Sequence, residues 1–96
     1  MKVVFLPFAL REMEDAFEWY QTQMSGLGYA FLDEVDAGIH RIIAWPRAHS
    51  VIGRDQRRCL IRRFPYGLIY GVDGDTIVVL AVAHLHRRPH YWMNRK

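Results

Sequence analysis

The chain has 96 residues, 51% of them hydrophobic, with three Trp, five Tyr and five Phe and a formal net charge of +3. These values predict one folded domain, residues 1–96, and exclude a disordered tail. They also exclude a membrane-spanning protein, because no apolar run reaches the roughly 20 residues needed to cross a bilayer. Pro7 interrupts the N-terminal apolar run, which we interpret as a strand and not as a signal peptide. Cys59 has no disulfide partner, so we expect a cytoplasmic protein.

Charge is distributed unevenly along the chain. Residues 1–46 carry three basic and seven acidic residues, a net charge of −4, whereas residues 47–96 carry ten basic and three acidic residues, a net charge of +7. Nearly all the basic residues of the second half are Arg, whose planar guanidinium favours bidentate contacts with phosphate or carboxylate. This half predicts a surface for nucleic acid or for an acidic protein. Charge alone leaves a solvated Arg-rich surface as the alternative.

The first half of the chain predicts a strand and two helices. A short strand over residues 2–6 is followed by a helix from Pro7 to about Met24. The glycine-rich segment 25–28 breaks this helix, and a second helix is predicted over about 29–44. A connection this short implies an antiparallel helical hairpin that covers a sheet. The predicted apolar stripes are Leu10, Met13, Phe17, Tyr20 and Met24 in the first helix, and Leu32, Val35, Ile39 and Ile42 in the second.

The second half predicts an antiparallel sheet. Residues 50–53 form a short edge strand, and residues 57–65 and 67–72 form the next two strands. The almost unbroken apolar run 77–83 is typical of a central strand covered on both faces. Gly74, between two Asp residues, predicts a tight turn with positive φ. Alternation in the strand 57–65 places Cys59, Ile61 and Arg63 on one face and Leu60, Arg62 and Phe64 on the other.

The fold class that follows is α+β with two layers. The predicted order is an N-terminal strand, a helical hairpin and an antiparallel β-meander, with the first strand beside the last. Pro89 limits the remainder to a short C-terminal tail or helix.

Three histidines stand near the end of the chain in the pattern H-x-H-x-x-x-H. His84 and His86, two residues apart on a strand, point to the same side. However, no Cys or carboxylate is near them in sequence, and Arg87 and Arg88 repel a cation. Because zinc sites need three or four ligands, we predict no metal and no cofactor. The prediction makes His84 a hydrogen-bonded strand-end residue and leaves His86 and His90 exposed.

The aromatic residues of the basic half each have two interpretations. Tyr66, predicted in a turn, either stacks on a base or packs beside Phe64. Tyr91 and Trp92 either close an edge of the core or act as stacking platforms beside two arginines. The chain has no Gly-rich phosphate loop and no nucleophile motif. The residues alone therefore indicate a small α+β domain with a surface rich in Arg and aromatic side chains.

Motifs in the basic half follow one another in a distinctive order: Arg63-Phe64-Pro65-Tyr66, Ile69-Tyr70, the run Ile77–His84, and Arg87-Arg88-Pro89-x-Tyr91-Trp92. Upstream stand Trp19-Tyr20, Gly26-Leu27-Gly28, Phe31-x-x-Glu34-Val35 and Pro46. Over nearly its whole length the chain thus resembles the RelE/ParE superfamily of toxins from bacterial type II toxin–antitoxin systems. The resemblance implies a growth inhibitor neutralised by a cognate antitoxin, whose tail wraps over the sheet and helices in a toxin–antitoxin hetero-oligomer.

The superfamily has two branches with different targets. RelE-like members cut mRNA in the ribosomal A site without a metal, and this resemblance implies a catalytic set of Arg62, Arg63, Arg87 and Tyr91. ParE-like members poison DNA gyrase and are not nucleases. We favour the ParE-like branch, because Gly67 stands where the RelE-like pattern has an arginine. A decayed toxin that only binds its partner is a third hypothesis. The residues predicted to bind a target or partner are Arg57, Arg58, Tyr66, Arg88 and Trp92.

Overall fold

The structure, a computed structural model, describes residues 1–88, 90–93 and 95. Within this part of the chain no helix is long and apolar enough to cross a membrane. The α+β class predicted from the sequence is confirmed. The elements are β1 (Lys2–Phe5), α1 (Pro7–Gln23), α2 (Leu27–Ala44), β2 (Ser50–Gly53), β3 (Gln56–Leu60), β4 (Tyr66–Asp73) and β5 (Thr76–His84).

All five strands form one sheet in the order β1-β5-β4-β3-β2. β1 is parallel to β5, and the other neighbouring strands are antiparallel. The predicted pairing of the first strand with the last is confirmed, as is the edge strand β2. The central strand is β4 and not β5, although β5 is buried on both faces as its apolar run predicts. Gly74 turns the β4–β5 hairpin with a φ of 60°.

α1 begins with Pro7 in its first turn, without a side-chain cap. Its predicted apolar stripe is wrong at both ends, because Leu10 is 41% exposed and Met24 is 60% exposed. The buried residues are Ala9 and Ala16, whose small side chains let the helix lie close to the sheet. Hydrophobicity alone could not have selected alanines over leucine and methionine.

The break between the helices is shorter than predicted. Gly26 has a φ of 90°, which only glycine adopts readily, and α2 begins at the next residue. Gly28 therefore lies inside α2 and not in the break. A Cβ at this position would meet Gln21 Cγ at 2.5 Å and the Phe17 carbonyl oxygen at 2.6 Å. The second glycine is thus required by the close approach of the two helices.

The main core lies between the helices and the sheet. Phe31 and Ile42 of α2 and Leu68 and Tyr70 of β4 are fully buried in it. The Tyr70 hydroxyl donates to the Pro46 carbonyl oxygen at 2.6 Å. Of the stripe predicted for α2, Val35 and Ile42 are buried, and Leu32 and Ile39 are half-buried against the same core.

The alternation predicted for residues 57–65 holds as far as Arg62 and then fails. β3 ends at Leu60, and Arg63 adopts a φ of 70° in the loop that follows. This left-handed residue reverses the expected alternation, so Phe64 is buried and Arg63 is exposed. The Phe64 ring packs edge-on against Phe31, with ring centroids 5.4 Å apart.

Candidate functional site

The face of the sheet opposite the helices, called the outer face below, has a small core of its own. Ile69, Ala81 and Ala83 are buried there beneath Trp92, which is 6% exposed. The Trp92 indole N–H donates to Gln56 Oε1 at 3.0 Å, and Gln56 is also buried. Trp92 therefore holds the C-terminal segment against the sheet.

Alternation along the strands explains why two cores form. Leu68 packs under the helices and Ile69 packs on the outer face, as successive strand residues must. A bulge opposite Ile69 and Tyr70 leaves Leu80 without a pairing partner in the register of β5. This extra residue shifts the alternation, so that Ala81 faces outward and Val82 faces the helices.

One carboxylate organises the polar part of this region. Glu12 of α1 is only 13% exposed, and its Oε1 accepts from the Val82 backbone N–H at 3.1 Å and from Arg95 Nη1 at 2.9 Å. Its Oε2 accepts from the Tyr91 hydroxyl at 2.6 Å and from Arg87 Nη1 at 3.3 Å. Glu12, Arg87, Tyr91 and Arg95 are called the Glu12 cluster below. The cluster ties the acidic helix to the basic C-terminal segment.

Tyr91 is partly buried within the Glu12 cluster and keeps its phenolic proton there. The Arg87 guanidinium lies 3.9 Å from the centroid of the Tyr91 ring. Burial, and then the hydrogen bond to Glu12, raise the pKa of the Tyr91 phenol well above its ordinary value of 10.0. At neutral pH this hydroxyl is therefore a hydrogen-bond donor, and it is already engaged with a carboxylate.

Beside the Glu12 cluster the outer face has a groove with a volume of about 330 Å³. Its apolar lining includes Ile69, Ala83 and Trp92, and its cationic side chains are Arg58 and Arg87. No Asp or Glu from the described part of the chain lines it. This surface is called the basic groove below. It combines apolar contact area, including an aromatic ring, with Arg, a composition that is enriched in protein interfaces.

Only one of the two arginines predicted on β3 faces the basic groove. Arg58 pairs with Ile69 in the sheet register and shares its outward direction. Arg57 pairs with Tyr70, and its Nη1 donates to the His49 carbonyl oxygen at 2.8 Å. Arg57 therefore supports the segment before β2, whereas Arg58 lines the basic groove.

The other predicted arginines lie at the same end of the sheet. Arg62 and Arg63 are exposed in the β3–β4 loop, and Arg88 is exposed after β5. The Pro65 carbonyl oxygen accepts from the Leu85 backbone N–H at 2.9 Å, which brings the loop beside the segment that follows β5. Within the described residues, no hydrogen bond or ion pair joins Arg62 or Arg63 to the Glu12 cluster.

Tyr66 and the histidines have local partners. The Tyr66 ring is half-buried against Phe31 and His84, with centroid distances of 5.1 and 5.0 Å, and burial raises the pKa of its phenol. His84 ends β5, and its Nδ1 accepts from the His86 backbone N–H at 3.1 Å. His86 and His90 are exposed. In the part of the chain described, no group of three or more His, Cys, Asp or Glu residues is placed to hold a metal ion.

Sequence reasoning missed Glu12, Arg95 and Gln56. Glu12 lies between the buried Ala9 and Ala16 on α1, at helical spacings of three and four residues. A carboxylate at these spacings from two small residues is the signal that could have identified it. No comparable signal marks Gln56 or Arg95, because their partners are distant in the sequence.

Comparison with known proteins agrees with this architecture. The family model described as the ParE toxin of the type II toxin–antitoxin system, parDE, matches residues 3–89. A chain of the solved structure described as the chromosomal ParDE TA system from P. aeruginosa is similar, with a TM-score of 0.66 at 13% identity, covering 90% of this chain and 97% of that one. At this identity the likeness shows the fold alone. No curated protein matches the sequence. Because the family model spans most of its length, the chain belongs to the ParE toxin family of type II toxin–antitoxin systems.

Proposed function

We propose that this toxin stops growth by binding DNA gyrase and that it is not a nuclease. Because the chain belongs to the ParE family of type II toxin–antitoxin systems, its partner is a cognate antitoxin. The observation that carries the proposal is the Glu12 cluster. Arg87 and Tyr91, the residues that mRNA cleavage would require, both bind a carboxylate of the same chain.

The contacts of Glu12 with Arg87 and Tyr91 are unfavourable for RNA cleavage. Such a site needs cations free to stabilise the phosphate transition state and a group that activates the ribose hydroxyl. Here the Tyr91 hydroxyl would have to leave Glu12 before it could activate a ribose hydroxyl, and the same carboxylate offsets part of the charge of Arg87. Gly67 contributes no charge at the position where a RelE-like site has an arginine. Losing even one preorganised donor or cation of this kind typically costs about 100- to 1,000-fold in rate.

The surroundings of the cluster favour docking of a protein. Trp19 of α1 is 60% exposed, and it lines a second groove together with Tyr66, His84 and Arg87. Exposed Trp and Arg side chains are the types most enriched among residues that dominate binding energy in protein interfaces. This end of the molecule therefore supports recognition of a large protein target.

Two assays on one preparation of purified toxin test the proposal. The first measures supercoiling of relaxed plasmid by gyrase, and the second maps mRNA ends after translation in a cell-free extract. We expect supercoiling to be inhibited and mRNA to stay intact, and addition of the antitoxin should reverse the inhibition. Codon-phased mRNA cuts with active gyrase would instead identify a ribosome-dependent endonuclease. Absence of any effect in either assay, together with normal growth of cells expressing the toxin alone, would identify a chain that only binds its partner.

A further inference from the structure

Arg58 has a buried donor that nothing in the described chain satisfies. Its Nε atom is shielded from solvent, and no hydrogen-bond acceptor from residues 1–88, 90–93 or 95 reaches it. Buried N–H groups of proteins are nearly always paired, and an unpaired one destabilises the state that contains it. If the Arg58 side chain shifts toward the basic groove that it lines, an oxygen acceptor of a ligand there can reach this donor and remove the cost.

The position of Arg58 depends on Gly67 of the neighbouring strand. A Cβ on Gly67 would lie 3.0 Å from Arg58 Cγ and 3.1 Å from Arg58 Cδ. Without a side chain at this position, the Arg58 stem lies flat against β4 and its guanidinium reaches the groove. An arginine from β3 thus uses the space that glycine leaves on β4.

Arg87 supplies a second cation with donors to spare. Its side chain is 54% exposed, and its contact with Glu12 uses Nη1 alone, at 3.3 Å. An Arg side chain has five N–H donors, and the others are not hydrogen-bonded to any residue that the structure describes. The Glu12 contact also indicates which ligand this region accepts, since a carboxylate already binds there.

We propose that the basic groove binds a carboxylate side chain of the cognate antitoxin, with Arg58 as its main partner and Arg87 as the second. The apolar lining of Ile69, Ala83 and Trp92 suits an apolar residue beside that carboxylate. Nucleic acid fits less well, because its affinity comes from a series of phosphate contacts, and the groove has two arginines. The inference rests on the proposed function only for the antitoxin and does not depend on gyrase.

The test compares Arg58→Gln with Arg54→Gln, an equal loss of charge in the turn between β2 and β3. Binding to the full-length antitoxin is measured by calorimetry, after circular dichroism confirms that each variant is folded. We expect the dissociation constant to rise at least ~10-fold for Arg58→Gln, as for the loss of one partner of a charge pair in an interface. Arg54→Gln should stay within about 3-fold of the wild type. Equal affinities of the two variants would overturn the proposal.

Two further variants test whether the loss of antitoxin affinity comes from the position and charge of Arg58. Gly67→Ala keeps every charge but crowds the Arg58 stem, and we expect it to weaken antitoxin binding by roughly 3- to 10-fold. If Arg58→Gln does not fold, unchanged affinity of Gly67→Ala would overturn the proposal instead. A charge swap identifies the residue that Arg58 contacts. Arg58→Glu should lose affinity for the antitoxin and regain it when the acidic antitoxin residue that binds Arg58 is replaced by Arg. Replacing the acidic residues of the antitoxin one at a time identifies that residue.

The same proteins separate this inference from the others. A labelled oligoribonucleotide that loses affinity for Arg58→Gln, while antitoxin binding is unchanged, would assign the groove to nucleic acid and overturn the peptide assignment. Gyrase inhibition is measured on the free wild-type toxin. A toxin without effect on gyrase, whose antitoxin affinity nevertheless depends on Arg58, would refute the proposed function and support the carboxylate site.

Discussion

The two faces of the sheet are stabilised by different forces. Under the helices the core is apolar and aromatic, and the Phe31, Phe64 and Tyr20 rings lie with their centroids 4.8 to 5.5 Å apart. On the outer face the apolar cluster is much smaller, and polar contacts to Gln56 and Glu12 secure the C-terminal segment. In the described part of the chain, the ion pairs formed by arginine all use Glu12.

This difference separates stability from recognition. The core under the helices gives a partner no surface to contact, because its side chains are buried. The outer face keeps arginines at its surface, and their interactions depend on salt and on competing carboxylates. We therefore expect substitutions under the helices to change the free energy of unfolding, and substitutions on the outer face to change binding.

The largest expected effect is at the centre of the helix-side core. Phe31→Ala removes a fully buried ring, and we expect it to lower the free energy of unfolding by about 3–5 kcal/mol. Met24→Ala, at an exposed residue, should change it by less than about 0.5 kcal/mol. Urea unfolding followed by circular dichroism measures both. A loss below about 1 kcal/mol for Phe31→Ala would show that the stability of the core does not depend on the Phe31 ring.

Alkaline pH provides the second test. Burial raises the pKa of Tyr70 to about 12, so folding favours its neutral form. The stabilising contribution is complete below pH 10, falls as the pH rises from 10 towards 12, and amounts to roughly 3 kcal/mol. Tyr70→Phe lacks this titration, so its free energy of unfolding should fall less over that range. Parallel curves for the two proteins from pH 9 to 12 would contradict the assignment.

Removing the central carboxylate should have a smaller and more local effect. Glu12→Gln takes the counter-ion from Arg95 and Arg87, and we expect a loss of about 1–3 kcal/mol. Exchange of the Trp92 indole proton, followed by NMR, should accelerate more than exchange in β4, because the C-terminal segment loosens first. Glu14→Gln, an exposed change on the same helix, serves as the control. Equal acceleration at both sites would indicate global destabilisation instead.

Salt should have the smallest effect on stability, and it should act mainly on the affinity for the antitoxin. We expect antitoxin affinity to decrease steadily between about 50 and 500 mM salt, because the distance over which exposed charges interact falls from about 14 to about 4 Å in this range. Over the same range the midpoint of thermal unfolding should change little, since the helix-side core contains no ion pair among the described residues. An affinity independent of salt would contradict the role given to the outer face.

Much of the fold was predictable because it depends on local patterns. The apolar run of β5, the turn at Gly74 and the break at Gly26 follow from residues adjacent in sequence. Phe64 was misplaced because a single left-handed residue, Arg63, reversed the alternation. The alanines of α1 were overlooked because close packing there depends on the shape of the sheet.

The candidate site was predictable only in part. Arg87 and Tyr91 were singled out by the resemblance to RelE-like toxins, and Arg58 was named among the residues predicted to bind a target or partner. Nothing in the sequence shows that Glu12, 75 positions before Arg87, binds the first two. The pairing of Arg58 with Gly67 arises from the register of two strands, which a one-dimensional pattern does not specify. Contacts between distant parts of the chain decide which arginines remain free for a ligand.

The most direct test of the account is the toxicity of Tyr91→Phe, measured as growth arrest and as inhibition of purified gyrase, with mRNA ends mapped in parallel. The variant keeps the ring beside Arg87 and loses only the hydroxyl that donates to Glu12. The account predicts that growth arrest and gyrase inhibition persist, because this hydroxyl positions the C-terminal segment and performs no chemistry. Loss of toxicity together with loss of codon-phased mRNA cuts, in a variant that stays folded, would contradict it and establish Tyr91 as a catalytic residue.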